Sequence, residues 1–364
     1  MEDKPRILVA PLDWGLGHAT RCIPLIQELR DSGAEVLIGT SEHSMALLKQ
    51  EFPDLTFLEM PGYKVSYPRD GNMAFHMLKL APRIRRAVKK EHKALDRYIE
   101  SHHIDAVISD NRLGLFNKRV PTVLITHQLF IQTPRFRWAA ERLNRHYISR
   151  FDQCWVPDVA DVHENLSGAL SHGTELPKGL AFIGPLSRFS LNGGQGYSGN
   201  EQNDRTRVLG LISGPEPQRG MLAETLNEEL KDLDLDATLV TGMPQKGKGK
   251  KESPRIRKFH HLPTNELQRE LMRADLIVSR SGYSTIMDLA AVGRKAVLIP
   301  TPGQSEQEYL ALYHDKKRHF LQMQQDRFEL KDAMKDMEAY HGVHLPPRPE
   351  ELRERLKDLI EEAS

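Results

Sequence analysis

The stretch Ser279–Ala311, SRSGYSTIMDLAAVGRKAVLIPTPGQSEQEYLA, decides how the chain is read. The apolar run Leu276–Ser279 reads as a buried strand, and Ile286, Leu289 and Ala290 give the next segment an inward helical face. Between them lies a turn of small residues that includes Ser281, Gly282, Ser284 and Thr285. Ser281 or Ser284 can cap the helix, and Gly282 lets a phosphate approach its positive end. Asp288 follows Thr285 by three residues on the same face, about 5 Å along the axis. That span suits diphosphate oxygens at the helix tip and ribose hydroxyls one turn in. The plainer alternative is an ordinary capped helix with an exposed acid.

A further strand, Ala296–Pro300, ends in a Pro/Gly break at the edge where open α/β sheets bind ligands. Gln304 lies in that break, and Gln307 and Glu308 then open a helix aimed at the same region. Their amide and carboxylate groups can hold sugar hydroxyls. A solvated helix start is the competing reading.

Outward from this block, short β-branched runs alternate with helical patterns along the whole chain, the signature of parallel α/β sheets. Arg6–Leu12, Glu35–Thr40, Asp105–Ser109 and Thr122–Thr126 read as strands of a first set. A helix runs to about Asp31, with Gly33 as its stop, and Met73–Ser101 is a long helical stretch. After the polar, Gly-rich run Leu191–Thr206 the alternation restarts with Val208–Ile212 and Ala237–Thr241. The expected architecture is α/β, two doubly wound Rossmann-like domains facing a cleft. Its parts are a first domain at 1–185, a linker at 186–206, a second domain at 207–348 and a closing helix at 349–364.

The length, 364 residues, fits two domains, and 39% apolar residues are enough for two cores. With 51 Lys+Arg against 50 Asp+Glu the net charge is +1, which argues against nucleic acid as a partner. Two cysteines, Cys22 and Cys154, make neither a disulfide framework nor a four-ligand zinc site, and no metal or cofactor is expected. Acids near the N-terminus argue against a signal peptide, and no apolar run is long enough to span a bilayer. The expected location is cytoplasmic, including the inner face of the membrane.

In the first half, Trp14-Gly15-Leu16-Gly17-His18 follows the first strand and opens a helix. Gly17 allows backbone approach to a ligand, and His18 can serve as a base or a hydrogen-bond donor. Thr20 stands where a dinucleotide fingerprint has its third glycine, so an NAD site is not expected. Ser109-Asp110-Asn111-Arg112 and Thr126-His127-Gln128 each end a strand in polar groups. Asp110 and His127 can supply base chemistry or bind an acceptor together with Asn111, Arg112 and Gln128. Structural hydrogen bonding accounts for either cluster equally well. In the second half, Ser213 and Gly214 form another strand-to-helix turn suited to phosphate. Lys79–Arg97 carries eight Lys/Arg and two acids, Glu91 and Asp96, with apolar residues interleaved. It suits an anionic membrane surface, or else is a plain solvated helix.

The Ser279–Ala311 block resembles the C-terminal donor-binding motif of GT-B glycosyltransferases of family 28, the type that forms lipid II. WGLGH is similar to that family's first glycine-rich loop with its histidine. The specific likeness covers about a fifth of the chain. The resemblance implies metal-independent, inverting sugar transfer from a nucleotide sugar. It places the family's ribose-binding glutamate on Asp288 and its paired glutamines on Gln307 and Glu308. The asparagine that follows falls on Ala311, a loss. These departures keep a nucleotide sugar, UDP-linked, with UDP-N-acetylglucosamine as one candidate only. His18 and Asp110 are the candidate bases, and lipid-linked or cell-envelope molecules are the candidate acceptors. The SDNR and THQ pair is similar to a group of predicted glycosyltransferases without assigned acceptors. A nucleotide-sugar epimerase or hydrolase of the same fold, and a non-catalytic sugar-nucleotide-binding subunit, remain the alternatives.

Overall fold

The computed structural model describes residues 4–62, 73–133, 137–189, 205–214, 216–231, 233–246 and 254–363, without the side chains of 42–43, 73–81 and 245. They form two compact units. The first runs up to Leu186 and takes in the chain from Pro347 onward, while the second is Ser187–Pro346. Most of the run expected to be a linker, 190–204, lies outside the described residues.

The first unit holds β1 (Arg6–Pro11), α1 (Leu16–Asp31), β2 (Glu35–Thr40), α2 (Glu42–Glu51), β3 (Thr56–Glu59) and α3 (Met73–His102). It continues with β4 (Ala106–Asp110), β5 (Thr122–Ile125), α4 (Arg137–Ile148), β6 (Gln153–Val156) and β7 (Leu180–Phe182). The seven strands are parallel in the order β3-β2-β1-β4-β5-β6-β7. A parallel sheet covered on both faces needs strands apolar on both sides, and Ile7–Ala10 and Ala106–Ile108 are fully buried. The pairing of Pro11 with Asp110 brings the ends of β1 and β4 together.

The second unit holds β8 (Arg207–Leu211), α5 (Gln218–Lys231), β9 (Asp236–Val240), β10 (Ile256–Phe259), α6 (Thr264–Arg273) and β11 (Leu276–Ser279). Next come α7 (Tyr283–Ala291), β12 (Val297–Leu298), α8 (Ser305–Lys316), β13 (Leu321–Gln322) and α9 (Leu330–Asp336). Its six parallel strands run β10-β9-β8-β11-β12-β13. Leu222, Leu226 and Leu230 of α5 recur every four residues and pack in one cluster with Leu239, Val278 and Val297.

The last helix, α10 (Pro349–Ala363), packs in the first unit. Leu352, Leu356 and Leu359 are buried, and Arg353 grips both carboxylate oxygens of Glu28 on α1, at 2.6 and 3.0 Å.

One expectation about α3 changes. Glu91 is not a surface acid of the basic stretch. It is fully buried and accepts from Arg112 Nη1 at 2.8 Å and from the Gly114 N–H at 3.2 Å. Gly114 is required there, since a Cβ would stand 2.4 Å from the Val88 carbonyl. With Glu91 inside and Asp96 paired to Arg119, the described Lys/Arg of the stretch from Arg83 to Arg97 are all exposed. Lys79 lies outside the described side chains.

Candidate active site

In the second unit β8, β11 and β12 are neighbours, so the turns at their C-terminal ends lie side by side. These turns carry Ser213–Gly214, Ser281–Gly282 and Thr301–Gln304. The cap of α7 is Gly282, with φ −71° and ψ 140°, a residue with no side chain to bond the helix end. This corrects the expectation of a serine cap. Ser281 Oγ instead donates to the Gln307 carbonyl at 2.8 Å and ties the turn to α8. Apart from its chain neighbours, no atom stands within 4 Å of where a Gly282 Cβ would be, so the turn that opens α7 has open space beside it. Ser284 and Thr285 lie in its first turn, half-buried, and Ser213 and Gly214 are half-buried beside it.

Gln307 and Glu308 shape the neighbouring turn. Gln307 Oε1 accepts from the Thr301 N–H at 2.9 Å, and Glu308 Oε1 accepts from the Gly303 N–H at 2.8 Å. Gln304 caps α8 by position, and its Oε1 is buried without a partner.

Asp288 is half-buried rather than exposed. Its Oδ1 accepts from Ser187 Oγ at 2.6 Å, and the carboxylate also receives the Arg188 backbone N–H. Burial raises its pKa, Arg188 and Ser187 pull it back, and the net is a carboxyl pushed up to about 6. Ser187 and Arg188 carry no motif, so sequence reading missed them.

In the first unit four residues separate α1 from β1. His18, Arg21 and Cys22 fall on one face of its first turns, over the end of β4. His18 Nδ1 is 3.2 Å from Asp110 Oδ2. Arg21 Nε donates to the same oxygen at 2.8 Å, and its Nη2 donates to Oδ1. Arg21 Nη2 also lies 3.0 Å from His18 Nδ1, and Nη1 lies 3.1 Å from His127 Nδ1. A guanidinium only donates, so His127 Nδ1 accepts and its proton sits on Nε2. Burial alone would raise the Asp110 pKa, but Arg21 and His18 outweigh it and hold the carboxyl well below the usual range. Cys22 Sγ, 3.6 Å from Asp110, is pushed up by burial and by that carboxylate. Arg21, Asp110, Cys22 and His127 are all buried, whereas the His18 side chain is 16% exposed. His18 is the most exposed member of the cluster.

Sequence reading named His18 and Asp110 as alternative bases and missed Arg21, which pairs with Asp110 and whose spacing from His18 was visible. Arg112 is corrected: it is fully buried, donating to the Pro11 and Pro61 carbonyls as well as to Glu91, and is a strut rather than an acceptor contact. Asn111, with φ 60°, turns the chain that way. Asn111 and Gln128 are half-buried at the ends of β4 and β5. Among the described residues no group of three or more His, Cys, Asp or Glu is placed to hold a metal.

Residues 222–362 match the glycosyltransferase family 28 C-terminal domain. An uncharacterised glycosyltransferase of Methanosarcina acetivorans is 22% identical over 325 residues, covering 83% of this chain and 81% of that one. A UDP-N-acetylglucosamine–N-acetylmuramyl-(pentapeptide) pyrophosphoryl-undecaprenol N-acetylglucosamine transferase of Rhodopseudomonas palustris is 45% identical over 47 residues, 13% of each chain. The glycosyltransferase SnogD of Streptomyces nogalater shares the fold across 100% of both chains, with a TM-score of 0.65 and 16% identity.

Proposed function

We propose that this family-28-like glycosyltransferase of GT-B fold takes a sugar from a UDP-linked donor and delivers it, with inversion, to an acceptor hydroxyl. The observation that carries the reading is the open space before α7, flanked by the turns of β8 and β12. The N-terminus of α7 offers positive potential where a departing diphosphate develops charge, a task that other folds give to a metal. Asp288 is suited to the ribose, and Gln307 and Glu308 to the transferred sugar. The short, strong likeness to an enzyme named for UDP-N-acetylglucosamine supports uridine as the nucleoside.

On the acceptor side, His18 is the base. His18 Nδ1 faces both Arg21 Nη2, which only donates, and Asp110 Oδ2, which only accepts. The base role requires the tautomer with Nδ1–H on Asp110, which leaves the Nε2 lone pair for the acceptor proton and the buried carboxylate to stabilise the imidazolium. Asn111, His127 and Gln128 are the candidate acceptor contacts. The exposed cations of α3 support an acceptor presented at an anionic membrane surface.

The test is UDP release from UDP-sugars, with and without a lipid-linked acceptor and in the presence of EDTA. Release that requires an acceptor and survives chelation is expected. Efficient turnover of the donor alone points to an epimerase or hydrolase. Tight UDP binding with no turnover under any acceptor points to a binding subunit.

A further inference from the structure

Arg21 touches all three candidate proton carriers of the first unit, His18, Asp110 and His127. The sheet brings them together beneath it. Asp110 ends β4 in register with Ile125 of β5, two residues before His127, and α1 lays Arg21 one turn beyond His18. The Arg21 side chain is 1% exposed. A guanidinium stays protonated at any ordinary pH, so its N–H groups only donate.

That fixed polarity gives the three groups different roles. Nε and Nη2 donate to the two oxygens of Asp110, and Arg21 with His18 outweighs the burial that would protonate the carboxylate. An acid held that firmly as an anion is a poor proton acceptor. His127 Nδ1 accepts from Nη1 at 3.1 Å, so its proton sits on Nε2, and a second proton would have to enter beside a cation. His18 Nδ1 meets the same guanidinium at 3.0 Å, but it also meets Asp110 Oδ2 at 3.2 Å. The contact with the carboxylate opens the tautomer with Nδ1–H on Asp110 and a lone pair on Nε2.

We propose that Arg21 is the positioning residue of the acceptor half. It fixes His127 as an Nε2–H donor and Asp110 as an anion, and so leaves His18, among the three, to take the acceptor proton. Arg21 acts through these groups and touches no reacting atom. The part of the inference that concerns proton transfer rests on the sugar-transfer reading above, whereas the tautomer of His127 does not.

Nitrogen-15 NMR of the histidine rings tests the tautomer without any substrate. At neutral pH the His127 ring of the wild-type protein should carry its proton on Nε2 alone, and a ring protonated on Nδ1, or on both nitrogens, overturns the proposal. The pH profile of UDP release tests the rest. Without the guanidinium charge the His18–Asp110 pair keeps its last proton to higher pH, so the acid limb of kcat/KM in Arg21→Met should move up by about one pH unit or more. UDP affinity should stay near wild type, and Arg21→Lys, which keeps the cation, should keep the limb in place. A uniform loss of rate with the limb unmoved in Arg21→Met marks a merely structural residue and overturns the proposal. Should Arg21→Met fail to fold, the wild-type ring spectrum decides. A wild-type protein that releases no UDP from any UDP-sugar sinks the transfer reading instead, and the ring spectrum still decides for Arg21.

Discussion

His18 Nδ1 stands 3.2 Å from Asp110 Oδ2, with the imidazole at the surface and the carboxylate beneath it. Arg21 competes for the same imidazole nitrogen at 3.0 Å while holding both carboxylate oxygens. Two groups, Arg21 from α1 and Asp110 from the end of β4, thus fix one ring, and the charge of Asp110 is kept in place by a cation that cannot lose its proton at ordinary pH.

If His18 is the base, His18→Ala should lower kcat/KM by about 10²–10⁴-fold while leaving nucleotide affinity near wild type. Asp110→Asn should lower it as well, because the imidazolium loses its partner. Activity of His18→Ala within a few-fold of wild type would remove histidine from the base role.

Glu91→Ala leaves Arg112 charged and buried with no acid. Breaking one side of a buried ion pair typically costs about 3–5 kcal/mol. A chemical-denaturation midpoint that falls accordingly is expected, and an unchanged midpoint contradicts the strut assignment.

His261 and His319 are each lowered from 6.5 to about 4, both mainly by burial, with Arg188 adding to the first and Lys317 and His341 to the second. The unfolded chain therefore binds more protons than the folded one between those values. Stability should fall as pH drops from about 6.5 towards 4. Thermal melts of His319→Gln should show a shallower acid slope than wild type, and an identical slope would exclude His319 as a source.

Asp288 ionises at about 6 in the folded protein. A carboxylate that accepts ribose hydroxyls is effective only above that value, so uridine binding should weaken as pH falls through it. Asp288→Asn should abolish this pH dependence, and Asp288→Ala should weaken UDP binding by about tenfold or more. Binding by Asp288→Ala that matches wild type would leave the acid to Ser187 alone.

The exposed cations of α3 predict co-sedimentation with anionic vesicles at low salt, lost as salt is raised. Equal partitioning onto neutral vesicles would contradict it.

Much of the fold was legible. Glu35–Thr40 and Leu276–Ser279 have the same bounds in sequence and structure, because strands buried on both faces read as continuous apolar runs. β10, Ile-Arg-Lys-Phe, and the two-residue β13 were not recognised. Both are edge strands, too short or too charged to stand out from a loop. At the site, the glycine turns were visible because their chemistry is local. The partners of Asp288 and Arg112 were not, because Ser187 and Glu91 lie 101 and 21 residues away in the chain.

The amino-acid order by itself determined two parallel α/β sheets and the turns that end their strands. Hydrophobic period and glycine placement are short-range properties, and they repeat along the chain. The tertiary structure alone decided which polar groups are spent. It turned Arg112 inward, set Arg21 between two histidines and, among the described residues, left Arg280 without an acid and the Thr301 hydroxyl without a bonding partner. Burial and pairing depend on segments that meet only when the sheet forms, and the electrostatics of a site follow from those meetings.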